Sequence, residues 1–113
     1  MSLPVAATVT LSEAARFFRL LADETRLRIV KLLSLSDLRA GEIGDAVRLP
    51  SNAVSYHLKQ LSAVGLLRDH RSTADARDVY YHLDVDRLML LYAAGGDSLY
   101  PGMAGASAAT SGH

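Results

Sequence analysis

EIGDAVRLPSNAVSYHLKQLSAVGLLRDHRSTADARDVYY, residues 42–81, is the stretch whose reading decides the fold. It opens inside a short helix, Ala40 to Val47, in which Ile43, Ala46 and Val47 face inward. Arg48, Leu49 and Pro50 form a turn, because Pro50 disfavours the helical region for the residue before it. Ser51 is suited to cap the next helix, about Asn52 to Val64. On that helix Val54, Leu58, Leu61 and Val64 share one stripe, while Asn52, Ser55, Tyr56, Lys59 and Gln60 fall elsewhere. Gly65 supplies the left-handed residue that closes a helix. Leu66–Arg71 and Asp78–Leu83 then read as two strands around a polar tip, Ser72 to Arg77, with Tyr80 and Tyr81 on opposite faces. The order is helix, turn, helix and wing.

Outward from this stretch, Thr10 followed by Glu13 is a capping-box pattern opening a first helix. Its apolar stripe is Leu11, Ala14, Ala15, Phe18, Leu21 and Ala22. Asp23 caps a second helix whose Leu27, Ile29, Val30, Leu32 and Leu33 cover most of its circumference, which predicts deep burial all round. Residues 34–39 read as a plain connection. A last helix, Val85 to Ala94, gathers Leu88, Leu91 and Tyr92 on one face, and Met89 and Leu90 keep the remainder apolar. Gly95 and Gly96 are expected to stop or kink it. The expected organisation is a flexible arm over 1–9, a folded domain over 10–95 and a disordered, Gly-rich tail over 96–113. The fold class is mainly α with a small β-hairpin wing, a winged helix-turn-helix of five helices. The last helix needs a covering that so small a domain has little left to give, so stability would gain from a partner subunit, with Phe18, Leu88, Leu91 and Tyr92 as the candidate interface.

Composition narrows the function classes. With no cysteine among 113 residues, disulfides, thiolate metal ligands and cysteine nucleophiles are excluded. Twelve basic and twelve acidic side chains cancel, so any nucleic-acid affinity must come from local placement and not from bulk charge. No apolar run is long enough to span a membrane, and the first residues lack the basic start and apolar core of a signal peptide. A cytoplasmic protein with no membrane partner is the expectation. Ser55 and His57, two apart on one helix, point in different directions and cannot pair as nucleophile and base, and no phosphate-cradling glycine loop exists. No enzyme is expected.

The polar face of the fourth helix suits the major groove of double-stranded DNA. Asn52 can pair bidentately with adenine, Ser55 and Tyr56 can donate to phosphates or bases, His57, beside the core stripe, is a candidate for a DNA contact or a supporting hydrogen bond, and Lys59 matches a phosphate. Arg71 and Arg77 flank the wing tip and can reach backbone or a narrow minor groove.

FRLLADETRLRIVKLL (18–33), EIGDAV (42–47), SNAVSYHLKQLSAVGLL (51–67) and ARDVYYHL (76–83) together resemble the ArsR/SmtB family of winged-helix transcriptional regulators, over roughly residues 11–94. The resemblance implies a homodimer built from the first and last helices, repressing a promoter at a palindromic operator, under control of an effector. Many members of the family sense metals. Their Cys-x-Cys site has no counterpart, since the matching segment is Arg39-Ala40-Gly41. Their last-helix pattern falls on Asp84, Asp86, Asp97 and Tyr100, although a gapless alignment on the wing shifts the window by one residue, onto Val85 and Arg87, which cannot serve. An oxygen-rich set of Asp84, Asp86 and Asp97, helped by His82, would suit Ni²⁺, or Mn²⁺, Co²⁺ or Zn²⁺. Against it, Asp84 and Asp86 equally suit the positive end of the last helix. The rival to a repressor is a winged-helix module that pairs with a partner protein and binds DNA weakly or only in that complex.

Overall fold

The computed structural model describes residues 10–72, 74, 77–100 and 102. In chain order the elements are α1 (Leu11–Leu21), α2 (Glu24–Leu33), β1 (Leu38–Arg39), α3 (Ala40–Val47), α4 (Ser51–Ala63), β2 (Leu67–Arg71), β3 (Val79–Leu83) and α5 (Val85–Leu99). They fall into two compact units, one of residues 20–85 and one that joins α1 up to Arg19 with α5 from Asp86. The expected arm, residues 1–9, and nearly all of the expected tail lie outside the described residues.

Residues 20–85 contain the winged helix. Asp23 caps α2 as its sequence predicts, its carboxylate accepting from the Arg26 backbone N–H at 3.0 Å. Only one face of α2 is buried, through Ile29 and Leu33, and Leu27 is 49 % exposed. The expected all-round burial of α2 is thereby corrected: apolar residues around the circumference outnumber the neighbours that residues 20–85 place against them. α3 is closed by Arg48 in the left-handed conformation, φ 59°. The Leu49 N–H then reaches back to the Gly44 carbonyl at 3.1 Å. A side chain at Gly44 would be crowded, since a Cβ there would lie 3.1 Å from the Leu49 carbonyl oxygen and 3.3 Å from Val54 Cγ2. The glycine therefore sets how closely α3 approaches α4.

The cap of α4 differs from expectation. Pro50 occupies it, and the N–H groups of Ala53 and Val54 both reach the Pro50 carbonyl at 3.1 Å. Ser51 is already helical, because the extended backbone that Pro50 adopts opens the helix one residue earlier. Val54, Leu58 and Leu61 are buried on the inner side of α4. Gly65 takes φ 81°, and the Leu66 N–H bonds the Leu61 carbonyl, which turns the chain into β2.

The sheet has three strands in the order β1-β3-β2, all antiparallel. The extra strand is β1, whose two residues pair with Tyr81 and Tyr80 and lead directly into α3. Leu67 and Leu83 face each other in register and are buried beneath the sheet.

The second unit begins with the expected capping box. The Glu13 N–H donates to Thr10 Oγ1 at 3.1 Å and the Glu13 carboxylate accepts from the Thr10 N–H at 3.3 Å. Ala14 and Phe17 on α1, and Ala94 and Gly95 on α5, are buried. α5 does not stop at Gly95 and Gly96 but continues to Leu99. A Cβ on Gly95 would lie 3.0 Å from Phe18 Cζ, so the glycine is a notch that admits the Phe18 ring. Tertiary packing here outweighs the roughly 1 kcal/mol that glycine costs a helix. Residues 96–99, expected to be tail, are helical.

Candidate nucleic-acid interface

Asn52, Ser55, Tyr56 and Lys59 are spaced i, i+3, i+4 and i+7, so one outward stripe of α4 carries all four. Each is exposed, Tyr56 by 58 %, and the buried stripe lies on the other side of the helix. The geometry thus brings together four of the seven residues expected to touch nucleic acid. Their chemistry is a bidentate amide, two hydroxyls and a cation.

His57 does not join them. One residue beyond Tyr56, it turns about 100° away onto the flank of α4. There it is half-buried, and its Nδ1 lies 3.3 Å from Arg26 Nη1. Of the two roles expected of His57, the supporting hydrogen bond is the one this placement matches, since its position on the helix takes the ring toward α2.

A groove of about 350 Å³ runs between α4 and the sheet, lined by Ser55, Leu58, Lys59, Ser62, Leu67, Asp69 and Tyr81. Ser55 and Lys59 therefore belong both to the outward stripe and to the wall of this groove. Arg71 and Arg77 are exposed at the two sides of the hairpin, which is closed by the Ser72 N–H on the Asp78 carbonyl at 2.9 Å. Thr73, Asp75 and Ala76, between them, lie outside the described residues.

On the outer face of the sheet, Asp37 Oδ1 lies 2.8 Å from His82 Nδ1 and Asp37 Oδ2 lies 3.0 Å from His70 Nε2. His70 also stacks on Tyr80, with ring centroids 5.8 Å apart. The two imidazoles, His82 first, hold the Asp37 carboxyl below the usual carboxylate range. Glu42 is likewise lowered, first by the Arg39 backbone N–H at the start of α3.

The oxygen-rich metal set expected from Asp84, Asp86 and Asp97 with His82 is not assembled within the chain. His82 is turned onto Asp37, and Asp84 Oδ2 lies 3.5 Å from Arg68 Nη2. Asp86 and Asp97 stand three turns apart on α5, roughly 16 Å along its axis, too far to share an ion. Among the described residues no three His, Asp or Glu side chains are grouped to hold a metal. Asp86 instead sits in the first turn of α5, where a carboxylate favours the helix dipole.

Of the residues expected at a dimer face, Tyr92 is 67 % exposed, while Phe18, Leu88 and Leu91 are partly covered. The exposed apolar stripe of α5 is Val85, Met89, Tyr92 and Leu99. Its intervals of four, three and seven keep the 3.5-residue repeat of a helix seam. The signal lay in the sequence as that repeat, and the helix that appeared to end at Ala94 hid its last member.

Among the described residues no helix is long and apolar enough to cross a membrane. A family model described as a helix-turn-helix domain matches residues 21–70. A transcriptional repressor SmtB homolog of Synechocystis sp. is 33 % identical over 87 residues, covering 77 % of this chain and 64 % of its own length. The transcriptional repressor SdpR of Bacillus subtilis is 31 % identical over 67 residues, 59 % of this chain and 71 % of the relative. A solved structure described as a possible transcriptional regulator for arsenical resistance superposes with a TM-score of 0.59 at 31 % identity, covering 66 % of this chain and 75 % of that one. The chain thus spans somewhat under two thirds of the SmtB homolog and rather more of the other two.

Proposed function

The chain belongs to the ArsR/SmtB family of winged helix-turn-helix transcriptional regulators, and on that footing we propose that it is a homodimeric repressor that reads a palindromic operator through α4. The observation that carries the proposal is the outward stripe of Asn52, Ser55, Tyr56 and Lys59, backed by a buried apolar stripe and followed at once by a basic-flanked wing. In this reading Asn52 pairs with a base in the major groove and Ser55 and Tyr56 contact bases or phosphates. Lys59, Arg71 and Arg77 hold backbone or minor groove. Dimerisation through the exposed stripe of α5 doubles these contacts, which a chain of zero formal charge needs. Half-sites would lie one helical turn, roughly 34 Å, apart. A metal held within one chain by Asp84, Asp86, Asp97 and His82 forms no part of this reading.

Fluorescence anisotropy of the pure protein on DNA from upstream of its own gene tests it. Lys59→Ala should weaken binding to all sequences and flatten the salt slope by about one unit. Asn52→Ala should instead relax the preference for the operator, by about 1–3 kcal/mol. Absence of any salt-sensitive preference for a palindrome over scrambled DNA would sink the proposal. The zero formal charge supports a second reading, in which a partner protein completes the DNA-binding surface. Weak binding by the pure protein, restored by a protein captured with it from native lysate, would favour that second reading.

A further inference from the structure

We propose that Arg26 is a positioning residue for the reading helix: by fixing His57 from the side, it sets the angle at which the outward stripe of α4 meets DNA. The inference rests on the DNA-reading role given above. Arg26 Nε donates to the Leu20 carbonyl at 2.6 Å, and Nη1 lies 3.3 Å from His57 Nδ1. Its own backbone N–H is held by the Asp23 carboxylate at the start of α2. From the first turn of α2, where its backbone is capped, the Arg26 guanidinium therefore reaches both the Leu20 carbonyl and the middle of α4. Leu20 is in a helix's last turn, where carbonyls lack intrahelical donors, and the guanidinium supplies one.

The contact also settles the chemistry of the ring. A guanidinium only donates, so in this contact Nδ1 is the accepting nitrogen and the ring hydrogen lies on Nε2. His57 in turn meets Tyr56 edge-on, at 5.6 Å between centroids and 69° between planes. Tyr56 stands on the exposed stripe, so the ring that Arg26 orients abuts a reading residue.

A directional tie matters because the buried side chains that seat α4 are apolar. Val54, Leu58 and Leu61 bury apolar surface, which fixes the depth of the helix but resists rolling weakly. A hydrogen bond on the flank adds the missing angular constraint. Lysine could not replace the arginine, since a point charge lacks the fork that serves the carbonyl and the ring together.

The experiment compares full-length wild type, His57→Leu, His57→Asn, Arg26→Lys and the double variant of His57→Leu with Arg26→Lys, with melting temperature measured for each. His57→Leu and Arg26→Lys should each weaken operator binding about five- to tenfold, and the double variant should lose no more than either alone. The salt slope should stay unchanged, and His57→Asn, whose side-chain oxygen falls near the place of Nδ1, should restore most of the affinity. Imidazole ¹⁵N spectra should show Nδ1 as an acceptor in wild type and a mixed tautomer in Arg26→Lys. The proposal is overturned by wild-type binding in His57→Leu, by no rescue in His57→Asn, or by a salt slope lower by about one unit, which would make His57 a phosphate contact. If wild type bound no DNA at all, the DNA-reading role itself would fail. A ring signal indifferent to Arg26→Lys would separately remove the contact.

Discussion

α4 and α5 are built on the same helical period and present opposite chemistry. Both have buried residues inside, but the outward stripe of α4 is Asn52, Ser55, Tyr56 and Lys59, and that of α5 is Val85, Met89, Tyr92 and Leu99. A polar stripe over a satisfied core is complete in water and gains by meeting a charged polymer. An apolar stripe of four large side chains is incomplete and gains by meeting its like. Under the proposed function the two helices divide the work: one recognises and the other associates.

The largest expected effect comes from breaking that division at α5. Met89→Glu with Tyr92→Glu makes its outward stripe resemble that of α4, and a buried aromatic anchor at an interface is worth about 2 kcal/mol or more. The dimer should weaken by well over about thirtyfold in sedimentation, with helix content unchanged. A variant still dimeric at micromolar concentration would show that α5 is not the association face. The next effect tests the notch behind that face. At Gly95 an alanine sets a propensity gain against crowding by Phe18, but Gly95→Leu leaves crowding in command. It should cost about 1–3 kcal/mol of stability, read as a fall in melting temperature. Unchanged melting would mean that α1 and α5 do not approach as closely as the glycine implies.

Local chemistry made much of this legible in advance. The Thr10–Glu13 box, the Asp23 cap, Pro50 as a separator and Gly65 as a stop each depend on residues within a few positions of one another. What escaped the sequence depends on distant partners. β1 has two residues, too few to show a period, and exists because Tyr80 and Tyr81 pair with it. Gly95 and Gly96 read as a stop until Phe18 is placed against the first of them. The outward stripe of α4 was legible from spacing alone, but the turn of His57 toward Arg26, 31 residues earlier, was not. The metal expectation came from matching intervals, and intervals do not say that His82 and Asp84 are already engaged with Asp37 and Arg68.

The smallest effect sharpens the comparison from the side of the reading unit. Asp37 spans the sheet face, accepting from His82 on β3 and His70 on β2, and it precedes the strand that leads into α3. Its carboxyl is held below the usual range, so near the ordinary carboxylate value of about 4 the unfolded chain binds a proton that the folded chain does not. Stability from this group is therefore fully present above that value and is lost as the pH falls through the lower, folded one. Asp37→Asn removes the titration, so the stability gap between wild type and variant in urea should narrow steadily from pH 5 downward. Asp37 is 38 % exposed, and solvent screening keeps the gap small. Dimer affinity should not move, because the tie belongs wholly to residues 20–85. A gap that stayed constant with pH would show that the two imidazoles do not share this carboxylate in solution. A change in dimer affinity would show that recognition and association are not separable in the way the two helices suggest.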